Sequence, residues 1–224
     1  MEFLKYLTVL IEAVNEDGTN TGTGFFYAFS VNGKDVPAIV TAHHVIAKGK
    51  ITLTLRYKVG EHIAQVRFPC NAKWHSMEQY DLACCLIRDI EQEFKGAVGF
   101  PMFYRCLCEE NTVTEKELKN IKVLSEVVMA GYPAGMSSSV FNYPIMQKGH
   151  LASDPGDASD NRLVDITTVG GSSGSPLILC GSNPRLIGIM SRAVVENPLS
   201  SANIGIYTEA CRLSGFKVKL SKKD

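Results

Sequence analysis

Gly171-Ser172-Ser173-Gly174-Ser175-Pro176 stands in the C-terminal third of the chain, and upstream of it lie Thr41-Ala42-His43-His44-Val45 and then Tyr80-Asp81-Leu82-Ala83. The order is therefore His, Asp, Ser. A serine hydroxyl is a poor nucleophile until a histidine takes its proton, and the imidazole needs an ionised, oriented partner to hold its tautomer and its positive charge. Ser173, His44 and Asp81 are the candidates for those three roles. Acyl transfer also places negative charge on an oxygen that only positioned donors can stabilise, and the backbone N–H groups of Gly171 and Ser173 are the candidate oxyanion hole. Removing one such donor typically costs about 3 to 4 kcal/mol of barrier. Gly171 leaves room for the turn, and Pro176 ends it and opens the next strand.

Each role has a competitor. His43 sits beside His44, and adjacent residues on an extended segment face opposite sides, so only one can face the serine. Ser172 and Ser175 flank Ser173 in what could be an inert Gly/Ser loop. Asp81 could be a solvent-facing residue at the start of a strand, but the apolar run from Leu82 to Ile87 follows it directly. An α/β-hydrolase elbow would need Gly-x-Ser-x-Gly, a helix after it and the histidine last. Here Ser175 takes the final glycine place, Pro176-Leu177-Ile178-Leu179 reads as a strand, and the histidine comes first.

These segments resemble the chymotrypsin-like (trypsin-like) serine peptidases, in the branch that contains HtrA-type proteases and bacterial glutamyl endopeptidases. The likeness runs in register from Thr21-Gly22-Thr23-Gly24-Phe25 through the histidine and aspartate segments to Gly131-Tyr132-Pro133, Lys148-Gly149-His150 and residues 167–176. It continues through Leu186-Ile187-Gly188-Ile189 and Gly205-Ile206-Tyr207-Thr208. The resemblance implies two six-stranded antiparallel β-barrels with the active site between them. It selects His44, through the Thr-x-x-His-Val pattern, and Ser173, third in Gly-x-Ser-Gly-Ser-Pro.

It also implies a primary substrate pocket walled by Thr167, Thr168, Ser191, Arg192, Ala193 and Gly205. No carboxylate stands at its floor, so a buried basic side chain would lack a partner and cleavage after Lys or Arg is disfavoured. Thr168 matches a threonine that glutamyl endopeptidases use, but Met190 stands where they have a histidine, so a small to medium uncharged residue is expected before the cut, with Arg192 reading acidic groups nearby. Ser172 replaces the aspartate of zymogen-activated relatives. Activation by a new N-terminus is therefore not expected, and the loop must be held by local hydrogen bonds or by a partner. The expected partners are a protein or peptide substrate and a regulatory protein; the alternative function is a catalytically silent or partner-activated binding module, and an esterase is a third class.

Independently of resemblance, short β-branched or aromatic runs at 24–30, 38–42, 51–56, 63–68, 83–87, 127–130 and 186–189 predict an all-β body. Asn32-Gly33 is a hairpin signal, and Lys48-Gly49-Lys50 and Val59-Gly60 mark further turns. Such a spacing suggests barrels or a sandwich. With the two barrels that the resemblance implies, the expected organisation is a first barrel over residues 1–100 carrying histidine and aspartate, a connection over 101–120, and a second barrel over 121–224 carrying the serine. The stretch 89–120 reads as an irregular crossover, apart from a capping-box pattern at Thr114-Glu115-Lys116-Glu117 that predicts a short helix over 115–120.

Composition is that of an ordinary globular chain. Its formal net charge of zero gives no electrostatic case for nucleic acid or an acidic membrane as partner. The N-terminal apolar stretch is interrupted by charges and reads as a structured first element, and no run is long enough to span a membrane. Seven cysteines cannot all pair within one molecule, which points to reduced thiols and a cytoplasmic location. Cys106-Leu107-Cys108 is too closely spaced for a zinc half-site, so neither metal nor cofactor is expected. Lys217, Lys219, Lys222 and Lys223 read as a solvated tail, and only that short segment follows Thr208, with no PDZ-like domain expected in it.

Overall fold

The structure is a computed structural model that describes residues 2–16, 18–138, 142–156, 162–194 and 202–221. Strands β1 (Thr8–Asn15), β2 (Gly18–Val31), β3 (Lys34–Ala42), β4 (Lys50–Val59), β5 (His62–Cys70), β6 (Trp74–Met77), β7 (Leu82–Leu86) and β8 (Leu107–Cys108) belong to one sheet. Its path is β5-β4-β1-β2-β3-β7-β6, with β8 added to β2. Strands β9 (Glu126–Gly131), β10 (Ile145–Leu151), β11 (Leu163–Thr168), β12 (Pro176–Leu179), β13 (Arg185–Ala193) and β14 (Ala202–Glu209) close into a six-stranded barrel, β10-β11-β14-β13-β12-β9. The chain is thus the expected mostly-β, two-part architecture.

The first sheet has more strands than the six expected, for a local reason. β2 pairs with β1 through residues 18–25 and with β3 through residues 25–31, leaving Tyr27 and Ala28 an open edge that Leu107 and Cys108 fill in parallel. The sheet curls on itself. Phe68 and Cys70 from one end share a core with Cys85, and with Trp74 packed against it, from the other, around Val9, Ile11, Phe26, Ile39 and Leu53.

Period-two geometry explains why β2 and β9 are apolar on both faces. Phe26 points into the first core while Phe25, Tyr27 and Phe29 join a shared layer between the two parts. In β9, Val127 and Met129 point into the barrel while Val128 and Ala130 face that same layer. The layer also takes Leu82, Ile178, Ile189 and Phe216. Apolar surface removed from water on both faces of these strands therefore holds the parts together, at about 25 cal/mol per Å² buried.

The Asn32-Gly33 signal becomes a two-residue hairpin: Val31 pairs with Lys34, and φ is +51° at Asn32 and +75° at Gly33, the left-handed pair such a turn demands. Five helical segments accompany the strands: α1 (Leu4–Leu7), α2 (His43–Ile46), α3 (Arg88–Val98), α4 (Glu115–Leu118) and α5 (Gly215–Ser221). α4 carries the capping box, Thr114 Oγ1 accepting from Glu117 N–H while Glu117 accepts from Thr114 N–H.

α3 corrects the expectation of an irregular crossover. Ile90 and Phe94, four residues apart, face the first core among charged neighbours, and Gly99 ends the helix at φ +81°. The basic end is not a loose tail either. Phe216 and Leu220 of α5 are buried, Lys217 pairs with Glu109 at 2.5 Å, and Lys219 bonds the Ser76 carbonyl; Lys222 and Lys223 lie outside the described residues. Phe94→Ala should lower the unfolding free energy in urea by about 3 to 5 kcal/mol, the cost of a buried aromatic cavity. An unchanged midpoint would show that α3 does not dock.

Candidate functional site

β3 ends at Ala42 and the chain turns directly into α2, so His44 sits on a helical turn and not on the extended segment its neighbours suggest. The turn is pinned from across the sheet. His43 N–H donates to the Asp81 carbonyl and His44 N–H to Asp81 Oδ1, each at 3.0 Å. Asp81 closes a short 3-10 turn (Glu78–Tyr80) and adopts φ +52°, a left-handed conformation that aspartate tolerates better than most residues.

That placement brings the Asp81 carboxylate beneath the imidazole. His44 Nδ1 lies 2.8 Å from Oδ2 and 3.1 Å from Oδ1, so Nδ1 carries the proton and Nε2 is left as an acceptor. His43 turns elsewhere, its Nδ1 2.9 Å from Ser76 Oγ. Ser191 Oγ donates to Asp81 Oδ2 at 2.6 Å, a carboxylate contact that its expected role beside the substrate did not include. Burial works against ionisation of Asp81, but the hydrogen bonds from the His44 ring and the Ser191 hydroxyl, with the attraction and the amide of His44, outweigh it. The carboxyl is held below its usual range.

The 170–175 loop comes from the other part of the molecule and is docked by Thr23 of β2. Thr23 N–H donates to the Ser173 carbonyl at 2.8 Å, and Thr23 Oγ1 donates to the Gly171 carbonyl at 2.8 Å while accepting from Tyr132 N–H at 3.0 Å. Gly171 has φ +92° and Gly174 φ +84°. Neither position has room for a side chain: a Cβ on Gly171 would strike the Tyr132 carbonyl, and one on Gly174 the Thr23 carbonyl and the Thr41 hydroxyl. Ser172 is fully buried and its N–H bonds the Val169 carbonyl, so the place of the zymogen aspartate is taken up by a local turn.

A trans peptide holds its C=O and N–H on opposite sides. Gly170 O accepts from Ala134 N–H at 2.5 Å, which turns the Gly171 N–H the other way. Among the described residues neither the Gly171 nor the Ser173 N–H has an acceptor. Two unused donors thus flank the Ser173 side chain. Its hydroxyl donates to the Ser191 carbonyl at 2.9 Å, not to His44. Ser191 therefore touches both the hydroxyl, through its carbonyl, and Asp81, through its side chain.

The six residues expected around a substrate divide. Ser191 and Arg192 line a cavity of about 800 Å³ beside Tyr80 and Asp81, and Arg192 is exposed. Gly205 instead faces the buried Met190 and Thr168 side chains: a Cβ on it would meet both the Met190 methyl and Thr168 Oγ1. The Thr168 hydroxyl is turned to the Ile166 carbonyl at 3.0 Å. Thr167 is exposed and Ala193 partly so. Among the described residues no group of three or more His, Cys, Asp or Glu side chains is arranged to hold a metal ion, and all seven cysteines are free thiols.

The profile of the trypsin-like peptidase domain matches residues 22–189. Two solved structures superpose on nearly the whole chain. One is an HtrA-type protease, AlgW, with a tripeptide, at a TM-score of 0.62 and 12% identity, covering 99% of this chain and 62% of its own. The other is the serine endoprotease from Yersinia pestis, at 0.58 and 16%, covering 99% and 65%. The chain therefore spans less than two thirds of either, and at these identities the likeness is one of fold. No curated protein sequence matches the chain.

Thr23→Val keeps the shape of the side chain but strands two buried partners, the Gly171 carbonyl and the Tyr132 N–H, and should cost about 2 to 4 kcal/mol in chemical denaturation; a loss under 1 kcal/mol would mean the loop does not depend on it. The Asp81 carboxyl is depressed in the folded state, so its contribution is complete above its unfolded value of about 4 and is lost as pH falls through the folded one. Asp81→Asn should accordingly be less stable than wild type at neutral pH, with the difference shrinking below about pH 4. A difference that stays constant into acid would contradict the linkage.

Proposed function

Because this chain belongs to the trypsin-like peptidase domain family, we propose that it is a serine endopeptidase whose nucleophile is Ser173, with His44 as general base and acid and Asp81 as its orienting carboxylate. The reading is carried by one observation. Asp81, which holds His44 Nδ1, and the Ser173 hydroxyl both bond Ser191, and among the described residues the Gly171 and Ser173 N–H groups have no acceptor.

In the proposed reaction the Ser173 hydroxyl leaves the Ser191 carbonyl and turns to His44 Nε2. Oγ then attacks the carbonyl carbon of the scissile peptide as Nε2 takes its proton. The C=O π pair moves onto the oxygen, and the Gly171 and Ser173 N–H groups stabilise that oxyanion. Collapse of the intermediate breaks the C–N bond, and His44 returns the proton to the leaving amine. Water repeats the sequence on the acyl-enzyme and releases the second peptide. Asp81 stays ionised throughout, which its depressed carboxyl and the Ser191 hydrogen bond favour.

The residue before the cut is proposed to be small to medium and uncharged, since the Met190 methyl fills the space beside Gly205. Arg192, exposed at the edge of the cavity, is proposed to favour acidic groups further along the peptide. The free thiols support a reducing, cytoplasmic setting. The alternative, a silent or partner-activated module, is favoured by one contact, the Ser173 hydroxyl resting on Ser191 instead of His44.

A fluorophosphonate probe separates the two. The isolated protein should label at Ser173, and Ser173→Ala should not; a folded wild type that stays unlabelled favours the alternative. On a peptide substrate, His44→Ala should lower kcat by about 10⁶-fold and Asp81→Asn by about 10⁴-fold. In peptide-library profiling, Met190→Gly should extend cleavage to large apolar residues before the cut, whereas an unchanged profile would place the pocket elsewhere.

A further inference from the structure

Arg56 of β4 is 4% exposed, and among the described residues no carboxylate pairs with it. Its guanidinium spans the two parts of the molecule. Nη1 donates to the Thr8 carbonyl at 2.8 Å, and Nη2 to Tyr132 Oη at 2.9 Å and to the Asn142 carbonyl at 2.6 Å, while the Tyr143 ring lies 5.6 Å from Cζ. Nε has no partner. Burying a cation against neutral acceptors is expensive, and an apolar side chain would join the two parts at lower cost. Stability alone does not account for an arginine here.

Its main side-chain partner leads to the catalytic loop. Tyr132 is fully buried, and its hydroxyl accepts from Arg56 and donates to Asn142 O at 3.1 Å, so the phenol is fixed at its far end. At its near end the Tyr132 carbonyl occupies the space a Gly171 side chain would need, and it accepts from Gly135 N–H at 2.9 Å. That bond closes the turn in which Ala134, at φ +52°, presents its N–H to Gly170 O. A left-handed alanine costs about 1 to 2 kcal/mol. The turn that aims the Gly171 N–H is therefore strained and has to be held from outside.

We propose that Arg56 is a positioning residue for this peptidase: through Tyr132 it holds the Tyr132–Gly135 turn, and through the Ala134–Gly170 hydrogen bond that turn keeps the Gly171 N–H aimed at the oxyanion. The inference rests on the endopeptidase reading for its kinetic consequence. Its structural content, the dependence of the Ala134 hydrogen bond on Arg56, does not.

The test compares wild type, Arg56→Met and Tyr132→Phe, the second variant deleting a single hydroxyl in case the first does not fold. Both should lower kcat on a peptide by about 10- to 100-fold with KM within about twofold, the pattern of a donor that acts in the transition state. Affinity for a peptidyl trifluoromethyl ketone, which forms the oxyanion on Ser173, should fall in parallel. The double variant should be no slower than the slower single one. Hydrogen exchange at the Ala134 amide, read by NMR and independent of activity, should accelerate in each variant relative to amides of β9. Unchanged exchange at Ala134, or a folded Arg56→Met with kcat within about twofold of wild type, would overturn the proposal. Accelerated exchange in a protein whose wild type resists fluorophosphonate would uphold the positioning and refute the peptidase reading instead.

Discussion

Thr23 grips the 170–175 loop at two carbonyls, Gly171 and Ser173, and the rest of the site follows from that grip. The proposed nucleophile and the proposed base are carried by different parts of the chain, with an apolar layer between them. Apolar packing is non-directional, so it brings the two parts into contact without fixing their register to tenths of an ångström. Hydrogen bonds from one threonine, made to the main chain on either side of the nucleophile, supply the direction. They also explain the glycines: at Gly171 and Gly174 the backbone comes so close to Tyr132, Thr23 and Thr41 that no side chain fits, and both adopt positive φ.

Two charges flank this contact and are handled in opposite ways. Asp81 is partly buried, but the histidine, a hydroxyl and an amide nearby repay its desolvation, and its carboxyl stays ionised. Arg56 is more deeply buried and finds only neutral acceptors. One charge belongs to the proposed triad and the other lies behind the turn that holds the Gly170–Gly171 peptide. Ser191 joins the two sides of the cleft, since its carbonyl holds the Ser173 hydroxyl and its own hydroxyl holds Asp81. Any displacement of β13 would reach both ends of the proposed triad at once.

What could be read early was local. The Asn32-Gly33 turn needs only two residues willing to take positive φ, and the Thr114 capping box only four residues in sequence. α3 is not legible in the sequence because just two apolar side chains, Ile90 and Phe94, mark its buried face among charged neighbours, and two points do not define a period. The Thr-x-x-His-Val pattern points to His44, and His44 is the one of the two histidines that meets Asp81, but the pattern does not reveal the backbone under it. The helical turn exists because Asp81, 37 residues away, bonds both amides at its start, and nothing within the Thr41–Val45 segment announces that.

By itself the sequence determined the mostly-β architecture, the order of histidine, aspartate and serine, and the glycine-bracketed loop, because strand periodicity, turn chemistry and motif spacing are properties of residues near one another in the chain. Tertiary structure alone decided that Ser191 supports the carboxylate, that Met190 closes the space beside Gly205, that the Ser173 hydroxyl rests on a carbonyl, and that a lone arginine stands behind Tyr132. Each of these is a contact between residues from about 15 to 110 positions apart, with a direction set by packing in three dimensions. A pattern along one strand carries no information about which distant group it will meet.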